Sequence, residues 1–505
     1  ASLILSLLAL PSHAERINHE GRILGALPVV TNSILFNTTN ADAVLSAMQI
    51  FPVTNAWNED ISRRPLLPNS DAMIAQIASD LIAINTNRQT LRAFYEMNFV
   101  IVPDNQPTVP IHFFNYADES DLNGGTGTNG LYPIPANLPI ETWPHQTGAL
   151  TLSQWQTSNN TGDRHAIIVQ PGVGLIWETW LTRLLNGEWR ASNGAKFDLQ
   201  SNALRPAGWT SGDAAGLPMF PALPRFDECE RGVVEHACRI VVNKSRYNNY
   251  IYPATHFAAP TNNTSANLPS MGQRVRLKSS YVITNSWTKQ EKAILVALKK
   301  YEAIVADNGG FFSISVSPDD RWPLGCFDHF NTINITNFEV VLTTGPNEGP
   351  RSPNAPTVNA GSDQSLPVGP TQLQGFASFI GTPPVVQWKL YSGPAAVTFD
   401  NDAQTNTTAT FNAPGIYTLM LSADDGVHAV AYDAVVFSIS TPIRVSGLRT
   451  GPDLNLTWTG GTPPFVLEKA DVLPGVSWSG VVTTSTRSAS VAITNLNQFF
   501  RVRGP

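Results

Sequence analysis

Four carboxylates, Asp213, Asp227, Glu228 and Glu235, crowd into residues 213–235. Two carboxyl groups in unlike surroundings divide the work of general acid and base, or of acid and nucleophile, as in glycoside hydrolysis. The distance between them decides the mechanism, so all four stand as catalytic candidates without assigned roles. The structural alternative for each is a loop cap or a surface ion pair. Histidine exchanges a proton near neutral pH. His165 opens an apolar run, His236 lies beside Val234, Cys238 and Ile240 on a strand-like face, and His256 sits in the turn Pro253-Ala254-Thr255-His256-Phe257. His256 is the histidine expected to assist the carboxylates. Arg205, Trp209, Arg225 and His165 complete the set as substrate-binding candidates. Trp209, in polar loop, is suited to stacking on a sugar ring, whereas Trp177 reads as core.

Most of these residues belong to one stretch, Phe197 to Cys238, rich in Pro, Gly, Asn and Asp. A connection that long and aperiodic is uncommon in a compact domain unless it is functional or disordered. Trp209, Met219, Phe220, Leu223 and Phe226 give it the means to pack, so it is expected to wall a binding or active site.

The elements that must position it read as mainly β with a few helices. Asn69-Ser70-Asp71 caps a helix whose stripe is Met73, Ile74, Ile77, Leu81 and Ile82. Leu91, Phe94 and Tyr95 suggest another helical turn. Strands are expected at 99–102, 109–114, 233–242, 250–252, 274–277 and 311–316. His165 to Val169 and Leu175 to Trp180, joined by Pro171-Gly172-Val173-Gly174, make a hairpin. Alternation in 233–242 places Glu235 on one face with Arg239. Thr288 and Glu291 form a capping box for a helix with the stripe Ala293, Ile294, Ala297, Leu298, Tyr301 and Ile304, ended by Asn308-Gly309-Gly310. Residues 15–350 are expected to form a sandwich or jelly-roll-like domain carrying the site.

Composition narrows the partners. Net charge is −7 and charged residues are only 14%, so no basic face awaits nucleic acid and surface polarity must come from Asn, Thr and Ser. The apolar run Ser2 to Leu10 followed by Pro11-Ser12-His13-Ala14 matches a secretory signal, leaving residues 1–14 as its remnant and the mature chain secreted, with no membrane span. The three cysteines, Cys229, Cys238 and Cys326, fit an exported chain that does not depend on disulfides; Cys229 and Cys238 either bridge or remain buried thiols. No Cys or His spacing points to zinc. Glu119-Ser120-Asp121-Leu122-Asn123-Gly124 starts like a calcium loop, but its twelfth position is Gly130 where a Glu is needed. No metal and no cofactor is expected.

After a proline-rich linker at Pro346–Pro356, residues 351–441 carry Val358-Asn359-Ala360-Gly361-Ser362-Asp363-Gln364, Trp388, Ser392-Gly393-Pro394, Phe411, Pro414-Gly415-Ile416-Tyr417 and Asp424-Asp425-Gly426. This series resembles a PKD-type immunoglobulin-like module, departing from it in Lys389-Leu390-Tyr391 after the Trp. Residues 442–505, with Leu454 to Trp458, Phe465 to Glu468, Ala489 to Ile493 and Phe499 to Val502, are similar to a small fibronectin-III-like sandwich. The resemblance implies spacers or attachment units. The first domain resembles only an uncharacterised family of secreted domains, through Tyr116 to Asp121, Ser201 to Gly216 and Tyr252 to Ala258.

No G-x-S-x-G elbow, P-loop or H-E-x-x-H occurs. The expectation is a secreted multi-modular protein acting on extracellular polysaccharide or another cell-surface polymer, by carboxylate hydrolysis if it is an enzyme. The alternative is a non-catalytic adhesion or carbohydrate-binding protein.

Overall fold

The computed structural model describes residues 15–343 and 355–504, apart from 146, 160, 382, 462, 473–476 and 495–497. The segment expected to be a signal remnant, 1–14, and almost all of the expected linker fall outside the described residues. The chain is mainly β and divides into two compact units, Asn18–Ser352 and one that takes in Pro353–Pro505.

The larger unit is built on three sheets. A four-stranded sheet runs in the order Arg183–Leu185, Glu188–Ala191, Val109–Phe113, Asn129–Tyr132. A five-stranded sheet runs Asn193–Asp198, Leu175–Trp180, Ala166–Gln170, Val100–Ile101, Ile34–Leu35. A six-stranded sheet runs Phe338–Val340, Arg274–Leu277, Ala303–Asn308, Cys238–Val242, Phe312–Val316, Leu91–Tyr95. Strand alternation gives the five-stranded sheet two apolar faces. Val100, Ala166, Ile168 and Trp177 pack with Ile111, Phe113, Tyr132 and Ala191 of the four-stranded sheet, so Trp177 is core. Ile101, Ile167, Val169, Ile176 and Ala195 join a second core with Ile240, Val275, Ile304 and Phe312 of the six-stranded sheet. The expected sandwich is therefore the first two layers, and a third closes its far face.

The long loop belongs to that second core. Leu199, Ala215, Leu217, Met219, Phe220, Ala222 and Leu223 are all buried in it.

Local departures from the sequence reading have tertiary causes. Leu91–Tyr95 is a strand, not a helical turn, because it pairs in parallel with Phe312–Val316. The capped helix is Lys289–Lys300; Glu302 at φ 73° breaks it, and Ala303–Asn308 is a strand that keeps Ile304 in the same core. Tyr250 to Tyr252 contributes only a bridge from Tyr250 to Met271. The strand expected over 233–242 begins at Cys238, because a short helix, Phe226–Arg231, precedes it and ends on Gly232 at φ 84°.

In the second unit, residues 357–440 form an immunoglobulin-like sandwich. Gln364–Pro367, Ala431–Ser440, Gly415–Asp424 and Val385–Ser392 make one sheet, and Gly369–Gln374, Asn406–Phe411 and Val397–Phe399 another. Trp388, Phe411, Tyr417 and Phe437 fill the core between them. The Tyr417 hydroxyl donates to the Ala413 carbonyl at 2.8 Å, a tyrosine corner. Two three-stranded sheets around Trp458 and Phe465 follow. Among the described residues no helix is long and apolar enough to cross a membrane.

The corner gives a direct stability test. Tyr417→Phe removes one donor and leaves the Ala413 carbonyl without it, which should cost about 1 kcal/mol. Urea unfolding followed by Trp388 fluorescence reads this, and an unchanged midpoint would show the bond contributes nothing.

Candidate functional site

Three segments far apart in sequence, 116–121, 201–216 and 252–258, meet. Arg205 is the joint. Its Nε donates to the Thr210 carbonyl at 2.9 Å and its Nη2 to the Glu119 carbonyl at 2.7 Å, while Nη1 pairs with the Asp121 carboxylate. Thr210 N–H in turn donates to Glu119 Oε2 at 2.8 Å. From the other side, Thr255 N–H donates to the Ala215 carbonyl at 2.9 Å, and His256 Nδ1 lies 2.7 Å from the Ala214 carbonyl. Trp209 is half-buried, 5.5 Å from the Arg205 guanidinium. Asp121 also accepts from Lys196 N–H at 2.8 Å, so its carboxylate serves the loop, and the calcium-like turn is held by an arginine.

A buried charge network lies just beyond. Asp213 is fully enclosed, and both its oxygens are taken by Arg239, whose Nε is 2.9 Å from Oδ2. Arg239 Nη1 donates to Ser315 Oγ at 2.6 Å, and Ser315 Oγ donates to Glu96 Oε1 at 2.6 Å. His165 Nδ1 sits 3.0 Å from Glu141 Oε2, and its Nε2 is 2.9 Å from the Gly212 carbonyl. A Cβ on Gly212 would stand 2.4 Å from the Met219 methyl and 3.6 Å from the His165 ring, so a side chain here would have to displace the Met219 methyl. Glu178, wholly buried, accepts from Met219 N–H and Phe220 N–H at 2.8–3.0 Å.

Burial shapes the proton affinities of this network. It lifts the carboxyls of Glu96, Glu178 and Asp307 to about 7, with Glu141 adding to the shift at Glu96 and Asp213 at Asp307. Burial opposes charge on His165 as well, but the Glu141 carboxylate prevails and holds the imidazole at about 9.

The remaining candidates form a second group around the Phe226–Arg231 helix. Arg225 pairs with Glu228 at 2.6 Å and lies 3.5 Å from Asp227, and Arg231 pairs with Asp227 at 2.7 Å. His236 Nε2 is 3.2 Å from Glu228 Oε2. Burial works against the Glu228 charge, but Arg225 and then His236 hold its carboxyl down at about 2. Glu235 is off the strand and does not neighbour Arg239; it binds Arg22 and Asn18 of the N-terminal arm at 2.8–3.1 Å. The four nominated acids are thus split: Asp213 joins His165, while Asp227, Glu228 and Glu235 gather elsewhere.

Cavity size separates two kinds of place. A cavity of about 20 Å³ opens beside Arg205, Leu217 and Tyr252, and one of about 30 Å³ beside Arg225, Glu228 and His236. Either holds about a water molecule. By contrast, an open groove of about 930 Å³ crosses the outer face of the four-stranded sheet, lined by Pro110, His112, Asn129, Leu131, Glu188 and Arg190 among others. That is the size of a small-ligand site.

The sequence reading passed over Glu96, Glu141, Glu178 and Asp307, and over the groove. Lone acids inside apolar runs, as in Leu175 to Trp180 and Ala303 to Asn308, were the available signal. Alternation along Val109 to Phe114 puts Pro110 and His112 on the outer face.

No family model matches the chain, and no curated protein sequence does. Among solved structures, the PKD domain from KIAA 1837 protein is 24% identical over 20% of this chain and 98% of its own, with a TM-score of 0.17. The PKD domain (329–428) from human KIAA0319 is 18% identical over 21% and 98%, TM-score 0.17. The N-terminal eight Ig domains of Down Syndrome Cell Adhesion Molecule are 13% identical over 29% of this chain and 27% of that one, TM-score 0.18.

Two predictions follow the network. Asp213→Ala strands the Arg239 guanidinium in the core and should cost about 3–5 kcal/mol, whereas Asp213→Leu with Arg239→Met should recover most of the loss. Urea unfolding of the full chain measures both; a mild single-variant effect would show that the pair does not anchor the loop. The second concerns pH. Carboxyls raised from 4.5 or 3.8 to about 7 stabilise most below their ordinary range, and that contribution is lost as pH climbs to 7. His165, raised from 6.5 to about 9, contributes fully below 6.5 and loses it through 9. Both act in one direction, as does Glu302 at about 8, while His19, lowered to about 4 by burial, opposes them between pH 4 and 6.5. The unfolding midpoint of this unit should therefore fall most clearly from about pH 6.5 to about pH 9, and the change below pH 7 should be less steep in Glu96→Gln. A midpoint that rises with pH over that range would contradict the assignment.

Proposed function

We propose that the chain is a secreted, multi-domain protein that binds extracellular polysaccharide along the groove of its first domain, residues 15–350. The modules at 351–441 and 442–505 act as spacers or attachment units. The observation that carries this reading is the contrast in open volume: about 930 Å³ at the groove against about 20 and 30 Å³ at the nominated loop residues. Hydrogen-bonding side chains, Thr126, Asn129 and Arg190, alternate there with apolar Pro110 and Leu131, a mixture suited to sugars with polar edges and apolar faces.

Hydrolysis by Asp213, Asp227, Glu228 and Glu235 with His256 assisting is the second reading. Carboxyls near pH 7, where a general acid works best, do gather around His165, but they are Glu96, Glu178 and Asp307 and not the nominated four. The arginine clasps on the four acids weigh against it.

Affinity electrophoresis of the full chain in gels cast with a panel of polysaccharides separates the readings, with reducing-end assays on the same panel. Retarded migration without new reducing ends is expected. New reducing ends would favour hydrolysis, and unaltered migration throughout would refute polysaccharide binding.

A further inference from the structure

One side chain from each strand of the four-stranded sheet stands in a single cross-strand row. Arg183 is the register partner of Arg190, Arg190 of His112, and His112 of Asn129. Register partners share a face, and the last three line the groove. With three interstrand gaps of about 4.8 Å, the row spans about 14 Å, the reach of a short run of sugar residues.

Two guanidiniums directly opposite each other work against sheet pairing. They occur here in a chain whose net charge is −7. The positive field is felt nearby: the buried Arg164 guanidinium is held down at about 10, by burial first and by Arg183 next. Glu188 offsets part of it from the surface, 3.1 Å from Arg190 Nη2. Arg190 Nε is enclosed yet has no acceptor among the described residues, an unmatched donor at a site where a buried donor ordinarily finds a partner. The contacts of His112 with Thr128 Oγ1 and Asn129 Oδ1, at 3.1 and 3.3 Å, both use Nδ1. Its Nε2 has no part in them.

We propose that this row reads anionic groups, and that the polysaccharide taken by the groove is an acidic one bearing carboxylate or sulfate substituents. The proposal rests on the binding function argued above and names its ligand class. Arg190 is the central reader: its planar fork matches two oxygens of a carboxylate or sulfate. Asn129 and His112 then meet the neighbouring hydroxyls.

The test uses the full chain and its Arg190→Gln and Arg190→Lys variants, with polygalacturonate, dextran sulfate and unsubstituted dextran as probes. Circular dichroism and the unfolding midpoint confirm that the variants fold. Binding to one or both acidic polymers and not to dextran is expected. Arg190→Gln should weaken it about ten-fold, as loss of a charge-assisted pair does, with Arg190→Lys in between. Raising salt from about 50 to about 500 mM should weaken it further. A preference for polygalacturonate assigns the carboxylate, and one for dextran sulfate the sulfate. Equal binding of dextran, with Arg190→Gln unaffected, would overturn the anion-reading row while leaving polysaccharide binding intact. Failure on all three polymers would overturn the row, and the binding function would fall only if the wider panel also failed. Equal binding of single-stranded DNA or anionic vesicles, abolished by Arg190→Gln, would overturn the polysaccharide as the anion's carrier.

Discussion

A guanidinium enclosed between two sheets must find its acceptors there, because leaving it unpaired costs several kcal/mol. Arg239 extends from the six-stranded sheet, and Asp213 of the long loop answers it with both oxygens. That demand fixes the middle of an otherwise aperiodic segment. Gly212 then passes close to the Met219 methyl and the His165 ring, and Glu178 takes the Met219 and Phe220 amides. Leu217, Met219, Phe220 and Leu223 are thereby set between the sheets, where they are fully buried. The loop is a layer of the fold held by polar contacts at each end of its apolar segment.

The same device recurs. Arg205 binds Asp121, Arg225 binds Glu228, Arg274 binds Glu302 and Glu59, and Arg22 binds Glu235. A chain with only 14% charged residues has placed many of them inside as arginine–carboxylate clasps. At the surface, two arginines stand directly opposite each other across the outer sheet, Arg183 and Arg190.

Much of the architecture was legible because it follows from local pattern. The helices at 70–84 and 289–300, the 166–180 hairpin and the PKD-like anchors each depend on residues close in sequence, although Asn69 does not cap the first helix and gives its amide to Ala266 and Asn267 instead. What was hidden depends on partners far apart. Glu235 and Arg239 fit one strand face by alternation, yet Glu235 answers Arg22 on the N-terminal arm and Arg239 answers Asp213. The strand at Leu91–Tyr95 carries a helix-like spacing and is extended only because Phe312–Val316 lies beside it. The loop was rightly singled out for its length and its aromatic content. Its role was not visible, since the same apolar residues that line a cleft also fill a core.

Cys229, Cys238 and Cys326 are all buried and unpaired. Burial, chiefly, pushes each thiol upward, to about 11 at Cys326 and higher still at the other two, so at neutral pH none is a thiolate ready for exchange. Neither core therefore relies on a covalent crosslink, and its packing is the same whether glutathione is reduced or oxidised around it. Such a fold calls on no disulfide oxidase and no disulfide isomerase to complete it.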